Sequence, residues 1–182
     1  AKRARGFGMR VLATRSRRDV SSTVADSLGV EMTDLDTLLS QSDFVSLHLP
    51  LNSKTYHMFD EQTLSKMKPG AFFINTARGA LVDESALAML LRNKQIAGAG
   101  IDTFEQIDVH SGLESAPNHP LLTLENVVFT PHVAALSVES KRDNNRGGIE
   151  NLAAVLSGFW PTAGHVVNPS VTPRFPLTVG ED

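Results

Sequence analysis

Ala71-Phe72-Phe73-Ile74-Asn75-Thr76-Ala77-Arg78-Gly79 is the stretch that decides how this chain folds. Its first four residues are apolar, with no alternation of polar and apolar side chains. A strand of that kind predicts burial on both faces, which is the condition of a parallel sheet covered by helices on either side. Polarity returns abruptly at Asn75. In an open parallel sheet ligands gather beyond the carboxyl ends of the strands, so Thr76 to Gly79 falls where chemistry is expected.

The same alternation extends outward in both directions. Upstream, Asp60 is placed to cap a helix that ends at Lys68-Pro69-Gly70, and Phe44-Val45-Ser46-Leu47 reads as a strand. Asp34 to Ser40 is a short helix with Leu35, Leu38 and Leu39 on one side. Before it come a strand over Met9 to Ala13 and a helix over Ser21 to Leu28, ended by Gly29. Downstream, Asp83 can cap a helix whose Leu87, Leu90 and Leu91 follow helical spacing and which Asn93 helps to end. Ile96 to Ile101 and Val127 to Thr130 are the next strands, and a long helix covers Ser137 to Leu156. Strands alternating with helices define an α/β protein with a doubly wound parallel sheet. The tail from Gly158 to Asp182 holds four of the nine prolines and little periodicity, as a connecting segment does.

Composition narrows the function further. The chain has 182 residues, 41% of them hydrophobic and 20% charged, with a net charge of -3. That suits one compact domain with a short extension. No stretch approaches the roughly 20 apolar residues of a membrane helix. The near-balanced charge offers nothing to nucleic acid or to an anionic membrane, and a cytoplasmic protein is the expectation. There is no cysteine, which excludes disulfides, thiolate catalysis and cysteine-built zinc or iron–sulfur sites; no metal is expected. Ala1-Lys2-Arg3-Ala4-Arg5 reads as the last turn of a helix stopped by Gly6 and Gly8, so the chain is expected to be N-terminally truncated.

Three polar segments follow predicted strands in order: Asn75-Thr76-Ala77-Arg78-Gly79, Gly100-Ile101-Asp102-Thr103-Phe104-Glu105, and Thr130-Pro131-His132-Val133-Ala134. In these the chain resembles the D-isomer-specific 2-hydroxyacid dehydrogenases, the family of glyoxylate/hydroxypyruvate reductases, D-lactate dehydrogenases and phosphoglycerate dehydrogenases. Ser46-Leu47-His48-Leu49-Pro50-Leu51, Lys68-Pro69-Gly70-Ala71 and His119-Pro120-Leu121-Leu122 add to the likeness, which runs from residue 1 to about Pro169. The resemblance implies a Rossmann-like, NAD(P)-binding domain over residues 1–157, lacking its first strand and glycine loop. Residues 158–182 would form a return segment towards a missing substrate domain.

The resemblance also assigns roles. Arg78 would hold the carboxylate of a small 2-keto or 2-hydroxy acid, for which a guanidinium presents a rigid fork of donors. His132 would be the general acid, since imidazole titrates near working pH. The other histidines are read as structural, with His48 also lining the cofactor beside Leu49, Pro50, Thr76, Ala77 and Ala134. Asp102 is placed near the nicotinamide end of the cofactor. Family members pair the catalytic histidine with a glutamate five residues after that aspartate, where this chain has Ile107. Glu105, Asp108 or Glu114 could supply the carboxylate by a different loop path, and nothing in the sequence chooses among them; with none in reach, catalysis should weaken above neutral pH.

The cofactor's identity rests on the end of another strand. NAD enzymes of this fold carry an acid after the second strand to accept hydrogen bonds from the ribose. Here Val11-Leu12-Ala13-Thr14 runs into Arg15-Ser16-Arg17-Arg18. Arg15, Ser16 and Arg17 suit a 2′-phosphate, which predicts NADP, with NAD as the alternative. Without a glycine loop or a substrate domain, the chain alone is expected to bind cofactor poorly and turn over nothing. The family also implies a homodimer. Two rival readings follow from particular residues. Ile107 leaves room for a catalytically weak, dinucleotide-sensing protein of the corepressor type. Gly147-Gly148 within a helix would fit a degenerate product.

Overall fold

The computed structural model describes residues 1–15, 23–105, 118–162, 165–168 and 170–178. They group into two compact units, Ala1–His132 and Val133–Asp182. This division falls before the long helix, whereas the sequence suggested one after residue 157.

The first unit begins with α1 (Lys2–Gly6), β1 (Leu12–Ala13), α2 (Thr23–Ser27) and β2 (Glu31–Met32). It continues with α3 (Leu35–Gln41), β3 (Phe44–Leu47), α4 (Glu61–Leu64) and β4 (Phe72–Asn75). A 3-10 turn (Gly79–Leu81), α5 (Glu84–Arg92), β5 (Gly98–Ile101) and β6 (Val127–Phe129) complete it. β1 pairs with β2, and β3-β4-β5-β6 form a second sheet in that order, every pairing parallel.

Aspartates start three of these helices. Asp34 accepts from the Thr37 N–H and Asp60 from the Thr63 N–H, each at 2.8 Å. Asp83 accepts from both Ser85 and Ala86 at 3.0 Å. Each such cap stabilises its helix by about 1 kcal/mol. α5 then lays Leu87, Leu90 and Leu91 into a core shared with Leu39, Leu64, Phe73, Leu81 and Leu121, all essentially inaccessible. Burying each of these side chains contributes roughly 1.5–3 kcal/mol. That core is what holds β4 and β5 rigid beneath the site.

Some expectations need correction. β4 is not buried on both faces: Phe73 and Asn75 face inward, but Phe72 is 42% exposed. Register sets Phe72 opposite Phe44, and the two rings stack 5.3 Å apart, shielding each other where the sequence predicted a helix layer. The helix capped by Asp60 stops at Leu64 and not at Lys68. Lys66 and Met67 bond back only three residues, and the Lys68 N–H turns away to the Leu39 carbonyl at 3.1 Å. β2 had no forecast, because two exposed residues carry no periodic signal. The first forecast strand shrinks to Leu12–Ala13 and the one before Asp102 begins at Gly98.

In the second unit, Ser137 caps α6 (Val138–Leu156) by accepting from the Ser140 N–H at 3.1 Å. A 3-10 turn over Ala134–Leu136 precedes it. The tail returns along itself, with Trp160 N–H donating to the Thr178 carbonyl at 2.9 Å and Thr178 N–H to Gly158 at 2.8 Å.

Candidate active site

Register aligns the strand ends. Leu47 pairs with Asn75, Asn75 with Ile101, and Ile101 with Phe129, so four parallel strands finish on one line. His48, Thr76, Asp102 and Thr130 are therefore the first residues off the sheet. With neighbouring strands roughly 4.8 Å apart, the turns bearing Arg78 and His132 lie to either side of Asp102.

Asn75 builds the Arg78 turn. Its buried amide Oδ1 accepts from the Ala77 N–H at 3.0 Å, while Nδ2 donates to the Arg78 carbonyl at 2.9 Å. Its own carbonyl accepts from the Asp102 N–H at 2.9 Å, tying the two strand ends together. Arg78 is exposed and rests one guanidinium nitrogen on the Ala77 carbonyl at 2.6 Å. Among the described residues, no carboxylate pairs with it. Thr76, Ala77 and Arg78 line a cleft of about 480 Å³ whose other wall is Leu47 to Leu51. His48, Leu49 and Pro50 thus meet Thr76 and Ala77, as the sequence reading grouped them.

His132 is held by Asp102. The carboxylate Oδ2 lies 2.7 Å from the ring Nδ1, and Oδ1 accepts from the His132 backbone N–H at 3.1 Å. The Thr130 hydroxyl closes on the same Oδ1. Burial pushes the Asp102 carboxyl upward, but the hydrogen bonds from Thr130 and His132 outweigh it and leave the group below its ordinary value. His132 has φ +50°, a left-handed backbone that side chains other than glycine seldom adopt.

Of the three acids proposed for His132, Glu105 is engaged elsewhere. Its carboxylate accepts from the Tyr56 hydroxyl at 3.0 Å and meets His57 Nε2 at 2.9 Å. Phe104 packs between Phe129 and His119, and the Phe104–Glu105 backbone lies against Gly79, which carries Glu105 to this side. Asp108 and Glu114 lie outside the described residues, as do Ser16 and Arg17 of the proposed phosphate site. Arg15 lies two residues past the end of β1, after Thr14. Ala134 opens the 3-10 turn of the second unit.

Sequence reasoning assigned no role to Asn75 or Thr130. A signal existed for both: Asn is a frequent former of turns two or three residues long, and Thr130 precedes His132 at the strand's end. The buried Thr103 hydroxyl has no partner among the described residues.

Residues 1–134 match the sequence pattern of the D-isomer specific 2-hydroxyacid dehydrogenase, NAD binding domain. The chain belongs to that family, and the matched region is its nicotinamide-dinucleotide domain. It is 42% identical over 179 residues to a glyoxylate reductase of Thermofilum pendens, an overlap of 97% of this chain and 50% of that protein. The fold matches a D-lactate dehydrogenase from Lactobacillus jensenii solved with NAD+, at TM-score 0.81 and 29% identity, over 89% of this chain and 50% of that one. An acyclic imino acid reductase in complex with NADPH and D-Arg matches at TM-score 0.70 and 34% identity, over 85% and 45%. The chain spans about half the length of the curated relatives it matches.

Proposed function

We propose that the protein is an NADPH-preferring reductase of small 2-keto acids, with this chain supplying the dinucleotide site and the proton donor. The observation that carries the reading is the Asp102–His132 pair at 2.7 Å, which gives the histidine a carboxylate although Ile107 stands where the family has glutamate. A protein that only sensed dinucleotide would need no such pair, so the corepressor-like reading loses its main support.

The cleft between the β3 and β4 strand ends falls within the size range of ligand pockets, roughly 300–1,000 Å³. Its residues fit the nicotinamide end of a dinucleotide: an apolar Leu49-Pro50 turn on one wall, with main-chain groups and one cation on the other. A bound nicotinamide supplies the hydride. Arg78 grips the substrate carboxylate through two parallel N–H donors and thereby sets the carbonyl's orientation. The Nδ1 proton of His132 is committed to Asp102, so the proton given to the carbonyl oxygen leaves from Nε2. Asp102, being acceptor-only when ionised, keeps the ring from turning over.

Preference for NADPH rests on Arg15, with Ser16 and Arg17 beside it in sequence, at the end of β1 where an NAD enzyme would place an acid. The homodimer implied by the family belongs to the same proposal and is checked by sedimentation of the full-length protein.

The test follows oxidation of NADPH and of NADH by the full-length protein with glyoxylate, hydroxypyruvate and pyruvate. Turnover favouring NADPH, lost in His132→Ala and moved towards NADH in Arg15→Asp, is the expected result. Preference for NADH would remove the arginine argument and leave the family standing. Tight binding of either dinucleotide with no consumption of it would overturn the reductase.

A further inference from the structure

A second carboxylate, unused by the chemistry above, is buried behind the site. Glu84 opens α5 with its side chain only 9% exposed, facing His119 at 8%. Its Oε2 lies 2.7 Å from His119 Nε2, and its Oε1 accepts from the Glu105 backbone N–H at 3.2 Å. His119 Nδ1 accepts from the Leu121 N–H at 3.3 Å, which assigns the ring proton to Nε2 and makes His119 the donor to Glu84. One carboxylate therefore receives bonds from residues 105 and 119, both well downstream of it in the chain. Isolated buried charge is costly, and such a group persists where its hydrogen bonds are complete.

The segment so held begins two residues after Asp102. Phe104 is fixed edge-on to the His119 ring at 5.6 Å and stacked on Phe129 at 5.8 Å. The backbone of Phe104 and Glu105 lies so close to Gly79 that no Cβ would fit there. Gly79 adjoins Arg78. The Glu84–His119 pair thus anchors the backbone that connects Asp102 to the Arg78 turn.

We infer that Glu84 is a positioning residue for the proposed reaction, holding the Asp102–Glu105 backbone so that Asp102 meets the His132 ring. The inference rests on that functional reading. Misplacing a catalytic group by about 1 Å costs up to roughly 100-fold in rate. A pair that merely stabilised the fold would leave turnover by the folded protein unchanged.

The experiment uses the full-length protein with Glu84→Ala and Glu84→Gln, alone and combined with Asp102→Asn. Gln keeps an acceptor for the Glu105 N–H and loses the one for His119, so it is the milder variant and serves if the alanine variant does not fold. Positioning predicts a fall in kcat of about 10- to 100-fold for Glu84→Ala and a smaller fall for Glu84→Gln, with substrate KM and dinucleotide Kd within about 3-fold. In the Asp102→Asn background either change should cost no more than about 2-fold further, because both act through His132. A lowered melting temperature with kcat unchanged overturns the inference, and so does full additivity with Asp102→Asn. If the unaltered protein reduces no 2-keto acid, the functional reading fails by itself. The His132 Nδ1 proton resonance then decides the positioning role: loss or displacement of that resonance in Glu84→Gln supports it, and an unchanged resonance overturns it.

Discussion

Asp102 grips His132 at two points, one oxygen 2.7 Å from the ring Nδ1 and the other accepting the His132 backbone N–H at 3.1 Å. Both bonds need an acceptor oxygen, and an amide keeps only one, so Asn cannot hold the ring Nδ1–H and the backbone N–H together. Asp102→Asn should lower kcat for keto-acid reduction by about 100-fold, with dinucleotide affinity nearly unchanged. Steady-state kinetics beside a dinucleotide titration check it. An activity loss under about 3-fold would leave Asp102 without a role in proton transfer.

The same pair makes stability depend on acid. The Asp102 carboxyl is depressed in the folded protein, so it adds stability above the ordinary carboxylate value of about 3.9 and loses it as pH falls through the lower folded value. Urea unfolding should show the native protein more stable than Asp102→Asn at pH 7, with the gap shrinking as pH falls below the ordinary carboxylate value. A gap independent of pH would mean that the lost interaction is not the ionised one.

Arg78 is exposed, and the nearest fixed point of its guanidinium is a main-chain carbonyl. Lysine keeps the charge but not the fork. Arg78→Lys should raise the keto-acid KM by roughly 10- to 100-fold, corresponding to one charge-assisted hydrogen bond. Dinucleotide affinity serves as the control; an equal loss there would place Arg78 on the cofactor instead of the substrate.

Gly79 has no room for a side chain. A Cβ there would fall inside the backbone of Phe104 and Glu105. Gly79→Ala must push that segment away, and it should both lower the melting temperature and reduce kcat through Asp102. Intact activity at reduced stability would show that the segment can shift without disturbing the acid.

Gly147 sits in the interior of α6 with nothing near its added Cβ. Gly147→Ala should therefore stabilise the helix, by roughly 1 kcal/mol. Thermal melts of the full-length protein test this, and destabilisation would mean that another surface packs against the position.

The sheet was legible because its strands are apolar runs ending in abrupt polarity, and because Asp34, Asp60 and Asp83 mark helix starts chemically. What escaped was fixed by distant contacts. No local pattern announces that Phe72 would shield Phe44 across a register pair, or that two exposed residues such as Glu31 and Met32 would pair with β1. The site divides the same way. The grouping of His48, Leu49 and Pro50 with Thr76 and Ala77 follows from strand ends alone. The partner of His132 does not, since Asp102 and Glu105 are three residues apart and only the packing of Phe104 decides which carboxylate goes where.

The left-handed backbone at His132 has a consequence for anyone engineering this protein. A non-glycine residue there gives up roughly 1–2 kcal/mol that glycine would recover. His132→Gly would relieve that strain but also remove the ring bond to Asp102, so heat resistance alone is a poor guide to what residue 132 should be. Thermal hardening has to be sought elsewhere, with residue 132 held constant.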